Sequence, residues 1–205
     1  MAGTIASAGN THWTTPLDVL GLIHKCTPFI DLDPCNNTNS LVNARNTFTL
    51  PIDSLFMDWT RFRSVFLNPP WGTSYLSPDK KTCYSAKEYT EMKKADPTSV
   101  VGFHKQVLKQ WVQKAVDTYR EWDIIAANTK ELYLLIPDQR SASHWHTLIF
   151  PYARAICTFK GRVAYGNGTE KKSSPSIGSV LVYFGDYTEK FKSEFESAGH
   201  HVEVL

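Results

Sequence analysis

The stretch "SVFLNPPWGTS", residues 64–74, decides how the chain is read. Ser64–Leu67 is a short, mostly apolar run of the kind buried in a parallel sheet. It stops on Asn68. Two prolines follow, which remove backbone donors and restrict the residue before each of them. Trp71 and Gly72 come next. A polar side chain is therefore held stiffly at the end of a strand, beside an aromatic ring. In α/β sheets that strand end is where ligands bind.

Upstream of this stretch, "TTPLDVLGLIHKC" (14–26) reads as a helix with Thr15 as N-cap, Pro16 at its first position and Asp18 in its first turn. "PFIDLDP" (28–34) predicts a strand over Phe29–Leu32 that runs into Asp33-Pro34. "CNNTNSLVNARNTFTL" (35–50) is Asn-rich and mostly loop. Downstream, residues 73–99 are polar, basic and aperiodic, and read as an inserted loop. "GFHKQVLKQWVQKAVDTYREW" (102–122) places Phe103, Val107, Trp111, Ala115 and Tyr119 at four-residue spacing, which marks an amphipathic helix. "ELYLLIP" (131–137) is a strand and "SASHWHTLIF" (141–150) a capped helix. "ARAICTFKGRVAYG" and "GSVLVYFG" are late strands joined by a polar loop, and "YTEKFKSEFESAG" is a helix stopped at Gly199. Strands alternating with helices predict an α/β fold: a mostly parallel twisted sheet with helices on both faces, closed by a C-terminal antiparallel hairpin. No repeat or linker divides the chain. The expectation is a loose tail over 1–11 and a single domain over 12–205 that carries the basic insertion 73–99.

Composition narrows the classes. The chain has 205 residues with 42% hydrophobic, enough for a sizeable core, and six Trp and nine Tyr supply stacking surfaces. Net charge is only +2, but between Leu76 and Arg120 nine Lys/Arg face five Asp/Glu, which leaves the remainder at −2 (2 − 4). Four scattered cysteines, Cys26, Cys35, Cys83 and Cys157, form no C-x-x-C pair, and they argue against a zinc site or disulfide scaffold. The His residues give no convincing metal set. No apolar run reaches the roughly 18 residues of a membrane span. The N-terminus lacks the features of a secretory signal.

Each residue of Asn68-Pro69-Pro70-Trp71 has a use if the substrate is the exocyclic amine of adenine or cytosine. That nitrogen is a poor nucleophile, because its lone pair is delocalised into the ring. Acceptors aimed at its two hydrogens localise the pair. The Asn68 side-chain oxygen takes one hydrogen and the Pro69 carbonyl the other. The prolines fix that carbonyl, so little reorganises during reaction. Trp71 stacks on a base taken out of the duplex. The plain alternative is a proline-stiffened loop with Trp71 in the core.

The sequence resembles the phage-type DNA N6-adenine methyltransferases, whose signature is Asn-Pro-Pro-aromatic after a strand. "HWTTP" (12–16) is similar to the family's Trp-x-Thr-Pro opening, "DLDPC" (31–35) to its first-strand acid-Pro motif, and "DSLFMDW" (53–59) to the segment whose acid meets the cofactor's adenine. "LLIPDQRSASHWH", "KGRVAYG" and "GSVLVYF" are similar to its second half, so the resemblance spans most of 12–184. It implies a Rossmann-like class I methyltransferase fold, S-adenosylmethionine as cofactor, DNA as partner, no metal, and direct methyl transfer to adenine N6. Cofactor contacts then fall on Trp13, Thr15, Pro16, Asp33, Pro34, Cys35, Asp53 and Asn68. Asp58 rivals Asp53, and Asn43 and Asn46 are candidates for the ribose. "DPCNNTNS" departs from the Gly-x-Gly turn of many relatives, and Asn36 and Asn37 are the residues able to replace those glycines in left-handed backbone. Trp71 stands where Tyr or Phe is commoner.

Lys80, Lys81 and Lys87, with Lys93 and Lys94, alternate with Tyr75, Tyr84 and Tyr89, a pattern suited to nucleic acid. Lys160, Arg162, Lys171 and Lys172 form a second basic group, and Arg140 and Arg162 are candidate phosphate contacts. Trp111 and Trp145 are expected in the core. Three alternatives stay open: N4-cytosine methylation, methylation of a protein glutamine amide, and an inactive relative that only binds DNA or cofactor. A monomer or weak dimer is expected, in the bacterial cytoplasm if the chain is phage-encoded, with or without a restriction partner.

Overall fold

The computed structural model describes residues 13–50, 52–125, 130–166 and 172–205. The expected tail over 1–11, His12 and Lys171 lie outside them. In chain order the elements are α1 (Leu17–Cys26), β1 (Leu32–Asp33), β2 (Asn46–Thr47), β3 (Ser64–Leu67), β4 (Ser74–Leu76), β5 (Cys83–Ser85), α2 (Ala86–Ala95), β6 (His104–Gln106), α3 (Leu108–Ile125), β7 (Glu131–Pro137), β8 (Ala155–Thr158), β9 (Tyr165–Gly166), β10 (Lys172–Ser173), β11 (Ser179–Gly185), α4 (Thr188–Ser197) and β12 (His201–Val204). Short helical turns cover Ser54–Phe56, Pro97–Val100 and Trp145–Ile149.

The main sheet has seven strands in the order β12-β8-β11-β7-β3-β1-β2. β2, β1, β3 and β7 run parallel, while β11 is antiparallel to both β7 and β8. Its alternation sorts side chains onto two faces. Val65 and Leu67 of β3 pack under α3 with Leu132, Leu134 and Ile136 of β7. Phe66, Tyr133 and Leu135 face the other way, against Leu20 and Ile23 of α1 and Phe191 and Phe195 of α4. Each such fully buried apolar side chain stabilises the fold by about 1.5–3 kcal/mol. The mixed α/β sheet with helices on both faces is thus as expected, and Trp111 and Trp145 are core residues, 5% and 0% exposed.

The helix read over 102–122 begins only at Leu108, because His104–Gln106 pairs with β4 as a strand, so Phe103 and Val107 lie outside it. Four further details differ from the sequence reading. The strand expected over Phe29–Leu32 is only Leu32–Asp33; before it, Asp31 bonds the Arg63 amide and pairs with the Arg45 guanidinium through its carboxylate. β12, on the sheet edge beside β8, is too short and polar to show a strand pattern. Thr15 does not cap α1; Pro16 occupies that position with no side-chain cap.

The fourth concerns the segment read as a loop over 73–99. It folds as a small antiparallel sheet, β5-β4-β6, that extends to Gln106 and carries α2. Ser85 and Glu88 form a capping box that starts α2. Tyr75 and Tyr89 stack with centroids 3.7 Å apart, and Phe103 lies against Tyr84 and Tyr89 at 5.5 and 5.6 Å. The tyrosines that alternate with lysines are half-buried and, with Phe103, form an aromatic cluster in this subdomain. Their spacing follows no helical or strand period, so sequence periodicity does not show them.

Candidate active site

The parallel strands β1 and β3 are neighbours, so Asp33 and Asn68 end up on the same edge of the sheet. Asn68 is fixed by a residue 53 positions away: its amide Nδ2 donates to the Thr15 hydroxyl at 3.1 Å. That bond uses the nitrogen and orients the amide, and among the described residues no donor reaches Oδ1, which remains as its acceptor. Thr15 is 3% exposed. Its neighbour Thr14 is clamped by paired backbone bonds to Gly166, Thr14 N–H to Gly166 O at 2.9 Å and Gly166 N–H to Thr14 O at 3.1 Å. A Cβ on Gly166 would collide with Thr14 Oγ1, so the close approach needs glycine there.

Pro69 is buried, and Trp71 is half-buried with its ring edge-to-face against Tyr165, centroids 5.3 Å apart at 89°. The Trp71 indole N–H is buried without a partner among the described residues. The Tyr165 hydroxyl donates to Ser179, which sets that ring in place.

The loop after β1 joins the same cluster. Asp33 is 3% exposed, and its two oxygens accept from Cys35 N–H at 3.0 Å and the Ser40 hydroxyl at 3.2 Å. Burial pushes the Asp33 carboxyl up to about 6, against those two bonds, which pull the other way. Asn37 donates to the Trp13 carbonyl at 3.2 Å and accepts from the Asn39 amide, while Asn36 donates to Thr49. Neither Asn36 nor Asn37 is left-handed; Asn43 is, at φ 52. These asparagines shape the loop through side-chain bonds, not through the backbone freedom expected of them. Pro34 is buried, and Cys35 packs against the α3 face, where burial raises its thiol. Asn46 is exposed and donates to the Asp31 carbonyl.

Asp53 and Asp58 differ in their surroundings. Asp58 accepts from the Thr60 amide and hydroxyl, pairs with Arg61 at the surface, and is lowered by those Thr60 bonds. It caps a turn. Asp53 is 6% exposed, accepts from Gln106 Nε2 at 3.2 Å on Oδ1, and leaves Oδ2 buried with no partner among the described residues. Buried orphan acceptors are rare and ask for a reason. Asp53 opens on a cleft of about 600 Å³ that is also lined by Leu55, Phe56, Phe103 and Val107, and that does not reach Asn68 or Trp71.

A family model described as DNA N-6-adenine-methyltransferase (Dam) matches residues 3–198. The chain belongs to that family. Membership indicates a DNA adenine N6-methyltransferase. No curated protein and no solved structure matches the chain at a significant level.

In this methyltransferase the basic residues are spread over three places. Lys81 and Lys87 are exposed on the small subdomain, with Lys87 loosely paired to Glu91 at 3.9 Å. Lys80 lies over the Phe56 ring at 5.8 Å. Arg162 is exposed beside the Pro175 carbonyl. Arg140 is instead engaged by Asp138, Glu203 and Thr158 at 2.9–3.1 Å, which ties the end of β7 to β8 and β12. Among the described residues no group of His, Cys, Asp or Glu is placed to hold a metal, and no helix is long and apolar enough to cross a membrane. Sequence reading did not find Gln106 or the partnership of Thr15 with Asn68. A lone Gln carries no signal, and a Thr-Pro pair reads first as a helix start.

Proposed function

We propose that the protein methylates the N6 of adenine in DNA, with the base flipped out of the duplex and S-adenosylmethionine as donor. The cofactor supplies, when bound, a methyl group on a positively charged sulfur, and transfer is direct with no covalent enzyme intermediate. The family match supports the base and the donor. The residues suit the donor: Asp53 Oδ2 is a buried acceptor without a partner among the described residues, suited to an adenine amine, and Asp53 lines a partly apolar cleft. Asp33, Pro34 and Cys35 lie at the end of β1, Trp13 meets the loop that follows through Asn37, Thr15 holds Asn68 with Pro16 next to it, and Asp33 adds a buried acid.

The observation that carries the proposal is the Asn68–Thr15 bond. With its nitrogen donated to Thr15, Asn68 offers Oδ1 to one hydrogen of the target amine. The Pro69 carbonyl accepts the second. Together they draw the lone pair onto nitrogen, in a frame that Pro69 and Pro70 keep from reorganising. Trp71, braced by Tyr165, stacks on the extruded base. Lys80, Lys81, Lys87 and Arg162 contact phosphates. Arg140, whose guanidinium already has three partners, is the least suited of the five candidates for that role.

The test uses purified protein, labelled S-adenosylmethionine and unmethylated DNA, with digestion to nucleosides and mass spectrometry. N6-methyladenine that disappears in Asn68→Ala is the expected result. N4-methylcytosine would move the target base. No methylated nucleoside from a protein that binds the donor would overturn the reading.

A further inference from the structure

The bond between Gln106 and Asp53 joins two parts of the molecule that the reaction uses for different ends. Asp53 sits before the Ser54–Phe56 turn, which Trp59 pins by donating its indole N–H to the Ser54 carbonyl at 3.0 Å. Trp59 in turn stacks on Trp111 of α3. The backbone of Asp53 is therefore fixed by the main core. Its carboxylate is not fixed by that core. A carboxylate turns about a broad, two-fold torsion, so either oxygen can face the cleft until one is engaged.

Gln106 supplies that engagement. It is the last residue of β6, 7% exposed, and pairs in register with Ser74 of β4. β4 begins three residues after Trp71 (74 − 71), and β6 leads directly into α3. Its neighbours His104 and Lys105 are exposed; Gln106 alone of the strand turns inward, and its Nε2 reaches Asp53 Oδ1 at 3.2 Å. One oxygen is held and the other, Oδ2, is left as the buried free acceptor.

We propose that Gln106 is a positioning residue that selects which oxygen of Asp53 is offered to the cofactor's adenine amine, so that the basic subdomain completes the cofactor site. The inference rests on the reading of Asp53 given above. A side chain that orients an acceptor acts on discrimination between ligands with and without the donor. A side chain that merely supports the fold acts on all ligands alike.

The experiment measures binding of S-adenosylhomocysteine and of S-inosylhomocysteine, whose ring carries an oxygen in place of the amine. Calorimetry is run on the wild type, Asp53→Asn and Gln106→Leu. The wild type should prefer the adenosine form by about tenfold or more, since the inosine form sets an oxygen against a carboxylate. Asp53→Asn should lose or reverse that preference, because an amide can also donate. Gln106→Leu should reduce it to about threefold or less, with affinity for the inosine form little changed. If the wild type shows no preference, or Asp53→Asn keeps it, the reading of Asp53 fails and the inference fails with it. If those two behave as expected but Gln106→Leu keeps the full preference, or weakens both ligands equally, the inference alone is overturned. Should Gln106→Leu not fold, Gln106→Asn serves: it keeps the polarity and withdraws the amide by one methylene, and the same loss of preference is expected.

Discussion

The two ends of the main sheet treat buried polar groups in opposite ways. At the amino end of β7, Glu131 is 6% exposed and takes the hydroxyls of Tyr133 and Tyr183 on one oxygen, at 3.0 and 2.9 Å. The Tyr183 hydroxyl also accepts from the Tyr187 amide, and Gly185 leaves it the room to do so. At the other end the Trp71 indole N–H is buried with no partner among the described residues, as is Asp53 Oδ2 in the segment between β2 and β3, and Asp33 keeps a carboxyl whose ionisation burial opposes. A network closed on itself stabilises a fold. Groups left open are the ones available to a ligand. The difference fits a structural part for Glu131 and the proposed binding and chemical parts for the residues left open, although Glu131, Asp33 and Asp53 are all buried acids.

The sharpest way to break that assignment is to remove one member from each end. Asn68→Ala takes away an acceptor needed only by the reacting amine. Single-turnover methyl transfer should fall about 10²–10³-fold while the urea midpoint stays close to that of the wild type. Glu131→Ala should do the reverse. Two buried phenol hydroxyls lose their acceptor, so unfolding in urea should show a loss of about 3 kcal/mol with the rate of transfer by the folded protein little changed. If Glu131→Ala slows transfer and leaves stability alone, the division between the two ends is wrong.

Asp33 sharpens the comparison through pH. Its carboxyl ionises near 3.8 when unfolded and near 6 when folded. Below pH 3.8 both states hold the proton and nothing is lost. As pH rises through 6 the folded chain must carry a buried charge, so the contribution of this group to stability is lost across that window, by about 3 kcal/mol in all. Asp33→Asn removes the dependence. Relative to the wild type it should gain stability at pH 8 and not at pH 4, as read from urea midpoints at both values. A stabilising change at the strand end that also weakens cofactor binding would show that the acid is kept for the ligand.

What the sequence made legible was local and ordered. Asn68-Pro69-Pro70-Trp71 is four adjacent residues, and α3 repeats its apolar positions every turn. Both can be seen without knowing what packs where. The small subdomain is different. Tyr75, Tyr84, Tyr89 and Phe103 meet only after the chain has turned three times, so their alternation with lysines reads as a binding surface. Its one local signal was the Ser85-x-x-Glu88 box. The same holds within the site. Asp53 and Asp58 differ in burial and in partners that lie elsewhere in the fold, and Gln106 and Thr15 bond residues 53 positions away. A one-dimensional pattern does not carry that information.

The smallest expected effect tests the most local claim, that Thr15 serves Asn68 and not α1. The Thr15 hydroxyl accepts from the Asn68 amide, and the cap position of α1 belongs to Pro16. Thr15→Val keeps the shape and the β-branch and removes only the hydroxyl. One neutral hydrogen bond contributes about 1 kcal/mol, so single-turnover transfer should slow by roughly fivefold as the Asn68 amide turns more freely. A helix cap of similar strength would instead appear as lost stability with the rate intact. Thr15→Ser, which restores the hydroxyl, should recover most of the rate. If Thr15→Val lowers the urea midpoint and leaves the rate unchanged, Thr15 is a structural residue, and the orientation of the Asn68 oxygen must come from elsewhere in the strand end.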